Sequence, residues 1–306
     1  MSKYRVWLLL ILCNLFWAGN YVFGKYVVAE MTPLWITFSR WLLACFLLFP
    51  IALFFEKPKW GEIKMAWPSL IVMGILGIIC YNLLLYSALD YTSSTNAALV
   101  SALNPGVMVL FSVIFLRERI SRIQAVGIVI SLIGVFVVLT QGNLGQILKM
   151  EYNTGDLLML AAIVVWTLYS IVGKRLTTIP PITATAVSAF FAVLMMAPFA
   201  MYEGIDIGEI SSLAMIGILY ITVFPSVCSF VFWNISVRQI GASQAGIFLN
   251  LIPVFTAMIS WMLGQQITGA QIYGGIFVFI GVYATTGMLE RKLAMWKDVG
   301  DTPESE

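Results

Sequence analysis

Long apolar stretches divided by short polar ones set the pattern of this chain. "VWLLLILCNLFWAGNYVFG" (6–24) is followed after a brief break by "ITFSRWLLACFLLFPIALFF" (36–55), and the alternation continues towards the C-terminal end. A helix rises 1.5 Å per residue, so about 20 apolar residues cross a hydrocarbon core of about 30 Å. Ten segments meet that requirement, at 5–28, 33–55, 67–89, 93–116, 121–141, 155–175, 180–202, 211–235, 240–264 and 269–289. Strands are excluded because the runs are too long and do not alternate. The expected class is all-α integral membrane, with ten transmembrane helices.

Composition sharpens this. Of the 306 residues, 60 % are hydrophobic and 10 % charged, against about 25 % charged in soluble domains. The net charge of +2 is small and unclustered, so no nucleic-acid partner is expected. The basic start of the chain is like that of a signal peptide, but the apolar stretch behind it is too long and has no small-residue cleavage site, so it reads as the first span. Cys13, Cys45, Cys80 and Cys228 sit in apolar segments without metal-ligand spacing, which implies neither disulfide nor metal site.

Lys and Arg bias sets orientation. With the N-terminus in the cytoplasm, fourteen cations, from Lys3 and Arg5 to Arg238 and Lys297, fall on the inner side and only Lys25 and Lys149 on the outer, Arg40 being left inside a span. Both termini are then cytoplasmic, in a multi-pass protein of the cell (plasma) membrane, which requires an even number of spans. Residues 291–306 form a cytoplasmic tail.

The chain also contains itself twice. "WAGNYVFGK" (17–25) matches "WTLYSIVGK" (166–174), and "SLIVMGILG" (69–77) matches "SLAMIGILY" (212–220). "NAALVSALNPGV" (96–107) corresponds to "QAGIFLNLIPVF" (244–255), aligning Pro105 with Pro253. "QAVGIVISLIGV" (124–135) answers "QIYGGIFVFIGV" (271–282), pairing Gly127 and Gly134 with Gly274 and Gly281. The order is the same in both halves, giving one five-helix unit at 1–145 and another at 150–290. Five is odd, so the second unit enters the membrane from the opposite side, and the halves are inverted repeats. Such an architecture places a solute site near the midplane, between repeats that exchange conformations.

With those features in place, the first-span "W…GK", Pro33 followed by Arg40, and "TSSTNAALVSALNPGVMVLFSVIFLRERISRIQAVGIVISLIGV" (92–135) resemble the EamA-like branch of the drug/metabolite transporter superfamily over about residues 7–288. The second copy departs from the pattern in having Gln266 where the family often has Glu, and Ser188 or Ala189 opposite Arg40. The resemblance implies export or exchange of small metabolites, often amino acids or their derivatives, through a central cavity.

Polar and aromatic side chains inside spans are the candidate lining, because unpaired polar groups in hydrocarbon turn towards a bundle interior or a water-filled cavity. The candidates for solute binding are Trp17, Asn20, Tyr21, Arg40, Tyr81, Asn82, Asn96, Trp166, Tyr169, Trp233, Asn234, Gln244 and Asn250. Amides donate and accept, and rings supply flat walls, a lining suited to a small zwitterionic or polar solute. Each could equally be interhelical glue. Arg40, about seven residues inside Pro33, has three readings: an interface anchor snorkelling outwards, a clamp on backbone groups, or an attractor for an anionic solute. Pro105 and Pro253 are candidate hinges or fixed bends. The paired glycines let helices approach closely.

There is no histidine, and Asp and Glu fall at or beyond span ends, so a buried proton relay is not expected. No P-loop, catalytic constellation or metal-ligand cluster appears; the chain reads as a non-enzyme without cofactors. The partners expected are a small-molecule metabolite and the lipid bilayer, with monomer and homodimer both open. A lipid or lipid-linked-sugar flippase is the alternative from another class.

Overall fold

The computed structural model describes residues 2–91, 100–143, 145, 153–206, 208, 210–264 and 266–286. The regular elements among these residues are all helical. They are α1 (Lys3–Val28), α2 (Pro33–Phe55), α3 (Trp60–Met73), α4 (Tyr81–Tyr91), α5 (Asn104–Phe111), α6 (Arg122–Leu139), α7 (Thr154–Arg175), α8 (Pro181–Glu203), α9 (Ser212–Ile221), α10 (Phe230–Ile240), α11 (Ala242–Ile247), α12 (Leu251–Met262) and α13 (Gly269–Thr285). Helix α3 runs into α4 through widened turns at Gly74–Cys80, α9 into α10 through Thr222–Ser229, and α11 into α12 through a tightened turn at Phe248–Asn250. Counting continuous rods among the described residues, eight helices are long and apolar enough to cross a membrane; Asn104–Leu116 and Gly269–Thr285 are shorter apolar helices. The span expected at 93–116 lies partly outside the described residues, and the tail lies wholly outside them.

The outer surface is apolar. Phe46, Leu110, Val126, Phe199 and Met262 all stand exposed, which suits contact with lipid tails, while the polar groups of the spans are buried. Helices solve the backbone problem that lipid poses by satisfying their hydrogen bonds internally.

The tightest helix pair is α6 against α13. A side-chain carbon on Gly127 would meet the Gly281 carbonyl at 2.8 Å, and one on Gly134 would meet the Gly274 carbonyl at 2.6 Å. The converse contacts are as close, 2.8 Å from Gly274 to the Gly134 carbonyl and 2.5 Å from Gly281 to that of Gly127. As one number rises by seven the other falls by seven, so the helices run antiparallel along a glycine seam. In lipid there is no hydrophobic drive between helices, and close backbone approach supplies the attraction instead. Both helices start on the same device: the Ser121 hydroxyl and the Gln124 side chain form a reciprocal cap, repeated by Thr268 and Gln271. That accounts for the glutamines at matching places in the two halves.

Pro105 lies in the first turn of α5, just after the turn at Ala102–Leu103, where its missing N–H costs nothing. Pro105 therefore stands at a helix start rather than in mid-helix, the helix being already interrupted ahead of it. Pro253 follows the Phe248–Asn250 interruption at the same relative place, inside the first turns of α12.

Among the described residues, Glu30, Glu56 and Glu118 sit at helix ends and hold other helices' N-termini. The two oxygens of Glu56 accept from Ile182 N at 2.9 Å, Thr183 N at 2.7 Å and Thr183 Oγ at 2.7 Å. Glu118 does the same for Ala242 N at 3.1 Å, Ser243 N at 3.0 Å and Ser243 Oγ at 2.6 Å. The exposed first-turn amides and the helix dipole both favour a negative group there. At the same end Lys174 donates to the Arg238 carbonyl at 2.8 Å, and Arg238 to the carbonyls of Gly173 at 3.1 Å and of Ile179. This is the basic end of the bundle. At the opposite end Glu30 accepts from Ser211 N and Oγ, both at 2.7 Å. The Ser211 hydroxyl, then its N–H, hold the Glu30 carboxyl below the usual carboxylate range. Because the folded value is the depressed one, this clasp contributes fully above the ordinary carboxylate range and is lost as pH falls through the lowered value.

Removing the Glu118 clasp gives a graded expectation. Glu118→Ala leaves the Ala242 and Ser243 amides without their acceptor, a loss of about 1–3 kcal/mol. Glu118→Gln keeps one acceptor oxygen, so its thermal unfolding midpoint in detergent should fall less. Equal midpoints for the two variants would contradict this account.

Candidate functional site

Two interruptions of helix geometry build the centre of the molecule. Pro225, within the α9–α10 rod, has no N–H to offer the Ile221 carbonyl one turn back. The Ser226 hydroxyl donates to that carbonyl instead, at 2.9 Å, and the carbonyl of Pro225 accepts the Trp17 indole N–H at 3.3 Å. In the α3–α4 rod the Tyr81 N–H reaches back five residues to the Leu76 carbonyl, and the Asn82 amide nitrogen donates to the Ile78 carbonyl at 2.7 Å. Wide turns of this kind are frequent at functional sites, and here they place Ser226 and Asn82 around one cation.

That cation is Arg40. Its Nε donates to Ser226 Oγ at 2.8 Å, and its Nη1 to the Tyr86 hydroxyl at 2.9 Å and to Asn82 Oδ1 at 3.3 Å. Its guanidinium carbon lies 5.8 Å from the Trp41 ring centre, within cation–π range. Arg40 is 2 % exposed, which corrects the interface-anchor reading: the side chain turns inwards because neutral acceptors and an aromatic face await it there. The clamp reading is corrected in its chemistry, since the partners are side chains rather than backbone groups. A cation at this depth costs about 2.5–3.5 kcal/mol on insertion scales. Among the described residues no carboxylate offsets it, the ion pair present being Lys59–Glu62 at 3.2 Å.

Beside this polar nest lies a cluster of rings around Trp166. Ring centres lie 4.9 Å away for Tyr81, 5.0 Å for Tyr169, 5.2 Å for Trp17, 5.4 Å for Trp233 and 5.4 Å for Phe230. Phe230 in turn stacks edge-on against Trp41 at 4.6 Å. The polar tips are tied down: Trp233 Nε1 donates to Ser170 Oγ at 3.0 Å, and the Asn234 amide to the Tyr169 hydroxyl at 2.7 Å and to Thr185 at 3.0 Å. Tyr21 hydrogen-bonds with Ser101 and Tyr81, joining the rings to the Arg40 nest. Trp166, Tyr169 and Trp233 are buried.

The structure thus brings together Trp17, Tyr21, Arg40, Tyr81, Asn82, Trp166, Tyr169, Trp233 and Asn234. Asn250 stands apart, donating to Ser131 on α6 at 2.9 Å. Asn20 is buried, and its Oδ1 has no partner among the described residues. Gln244 lines a cavity of about 520 Å³ at the basic end, with Glu118, Arg119, Lys174, Arg175 and Gln239. Asn96 lies outside the described residues. Sequence reasoning missed Trp41, Ser226 and Phe230. A proline followed by serine inside a span was the readable signal for Ser226; Phe230 gave none beyond its apolarity.

A helical bundle that is apolar outside, with rings, amides and one guanidinium gathered inside, defines a multi-pass integral membrane protein. Its residues 5–140 and 153–287 match the EamA-like transporter family. The chain belongs to that family and is a membrane transporter. It is 30 % identical to the uncharacterized transporter YyaM of Bacillus subtilis, over 94 % of this chain and 96 % of that one. An uncharacterized transporter of Archaeoglobus fulgidus is 27 % identical over 91 % of this chain and 96 % of its own. A solved crystal structure shares the fold with a TM-score of 0.78 at 21 % identity, covering 95 % of this chain and 99 % of the other.

Proposed function

We propose that the chain is a secondary transporter of a small organic metabolite, such as an amino acid or derivative, working by alternating access in the direction of export or exchange. On this reading it has ten spans in the cell membrane, arranged as inverted five-helix repeats at 1–145 and 150–290, with both termini in the cytoplasm. The observation that carries the proposal is the antiparallel glycine seam between α6 and α13, since these are matching helices of the two copies and inversion requires them to run oppositely. The shared caps at Ser121 and Thr268 support it, as do the interruptions ahead of Pro105 and Pro253 and the wide turns in both long rods. The family matches the two halves as separate stretches.

In this mechanism the described conformation is clasped at the basic end by Glu56, Glu118 and Arg238. Access from that side requires those N-terminal clasps to release while the interruptions at Ala102–Leu103 and Phe248–Asn250 absorb the bend. The solute sits against the rings and the Arg40 nest.

Two measurements test this. Protein in liposomes should give saturable counterflow of a labelled amino acid chosen by a thermal-shift screen, and no scrambling of a fluorescent phospholipid. Scrambling without counterflow would favour a flippase. For orientation, a reporter active only in the cytoplasm should work when fused after Lys59 or Arg119 and fail after Gly204. An inactive fusion after Arg119 would overturn the ten-span arrangement.

A further inference from the structure

Among the described residues, Arg40 is the cation buried beside the central rings, and every group that touches it is neutral: a serine, a tyrosine, an amide and a tryptophan face. Its second terminal nitrogen, Nη2, donates to no described residue, although the side chain is 2 % exposed. A scaffold role needs hydrogen bonds from this position, and a neutral glutamine or serine would supply them without the cost of burying charge. A guanidinium is the costly choice, and it is matched to planar, two-oxygen anions. Tyr86 and Tyr81 add hydroxyls to the same nest, and Tyr21 and Tyr81 keep part of their surface exposed. Rings make up most of the wall beside it, and the Asn234 amide and the Ser170 hydroxyl there are already tied to Tyr169 and Trp233.

We infer that Arg40 is the anion subsite of the carrier, and that the carried solute presents a carboxylate to it beside an apolar or aromatic body. This rests on the transport reading and narrows its substrate class. Ser226 and Asn82, each fixed by its own bond to a backbone carbonyl in a wide turn, hold Nε and Nη1 of the guanidinium. Its remaining N–H groups are left for the ligand. The Trp41 ring, 5.8 Å from the guanidinium carbon, flanks the subsite.

The test is a titration of the purified full chain in detergent, followed by intrinsic tryptophan fluorescence, with sodium phenylacetate and with phenylacetamide. The two probes are nearly isosteric and differ in charge. Wild-type protein should bind phenylacetate saturably and at least tenfold more tightly than the amide. Arg40→Gln should erase that preference and Arg40→Lys should keep part of it. Should Arg40→Gln fail to fold, Tyr86→Phe keeps the charge while removing a neutral partner, so its preference for the carboxylate should survive. Equal affinities in wild type, loss of the preference in Tyr86→Phe, or its survival in Arg40→Gln would overturn the inference. Counterflow in liposomes separates the two levels of the reading. Counterflow without a carboxylate preference removes the anion subsite alone, whereas a preference without counterflow of any solute removes the transport reading.

Discussion

Gly281→Leu is expected to yield little folded protein. A carbon added at this position would lie 2.5 Å from both the Gly127 carbonyl and the Ser131 amide nitrogen, which are backbone atoms of the facing helix and cannot turn aside as a side chain can. A leucine must therefore push α13 away from α6. That movement breaks the matching contact between Gly274 and Gly134 and the Asn250–Ser131 hydrogen bond close by. Overpacking alone costs about 1–3 kcal/mol, and in lipid no hydrophobic gain is available to offset it. Recovery of monodisperse protein by size-exclusion chromatography should drop severalfold for Gly281→Leu and modestly for Gly264→Ala, whose added carbon meets nothing but whose positive φ strains it. Wild-type recovery of Gly281→Leu would mean that the seam does not hold these helices together.

Trp166→Ala is expected to lose both stability and transport. Trp166 is the ring against which Trp17, Tyr81, Tyr169, Phe230 and Trp233 all pack. Cutting it to alanine opens a void that the surrounding helices fill only in part, at a cost of about 3–5 kcal/mol. Its indole N–H has no partner among the described residues, so Trp166→Phe gives up no hydrogen bond and should retain most of the stability. The comparison of the two in a thermal unfolding series, alongside counterflow, checks this. Equal unfolding midpoints would show that packing at the ring is not what position 166 provides.

Much of this arrangement was legible in the sequence, and the reasons differ from part to part. Spans are legible because lipid imposes one length and one polarity on every helix that crosses it. The glycine seam is legible because only glycine permits backbone contact, and two copies of the spacing point at each other. The aromatic centre was legible as a set, since Trp17 and Trp166 stand at matching places in the repeat. The partners of Arg40 were not. Ser226 reaches it only because Pro225 widens the helix, a change of register that no count of apolar residues reveals. The clasps of Glu56 and Glu118 were hidden for another reason: each acts on an N-terminus more than a hundred positions away, and distance along the chain carries no trace of such contacts.

The placement of carboxylates at helix ends bears on the energy source. Glu56 and Glu118 spend their charge on N-terminal amides, Asp156 caps the start of α7, and the chain has no histidine. Among the described residues, the membrane-embedded centre offers no acid to carry a proton inwards as an anion leaves. A singly charged carboxylate would then cross with its charge uncompensated, and the membrane potential would act on it directly. With the interior 100 mV negative that bias is about 2.3 kcal/mol outwards, roughly a fiftyfold gradient, so the voltage alone would drive export.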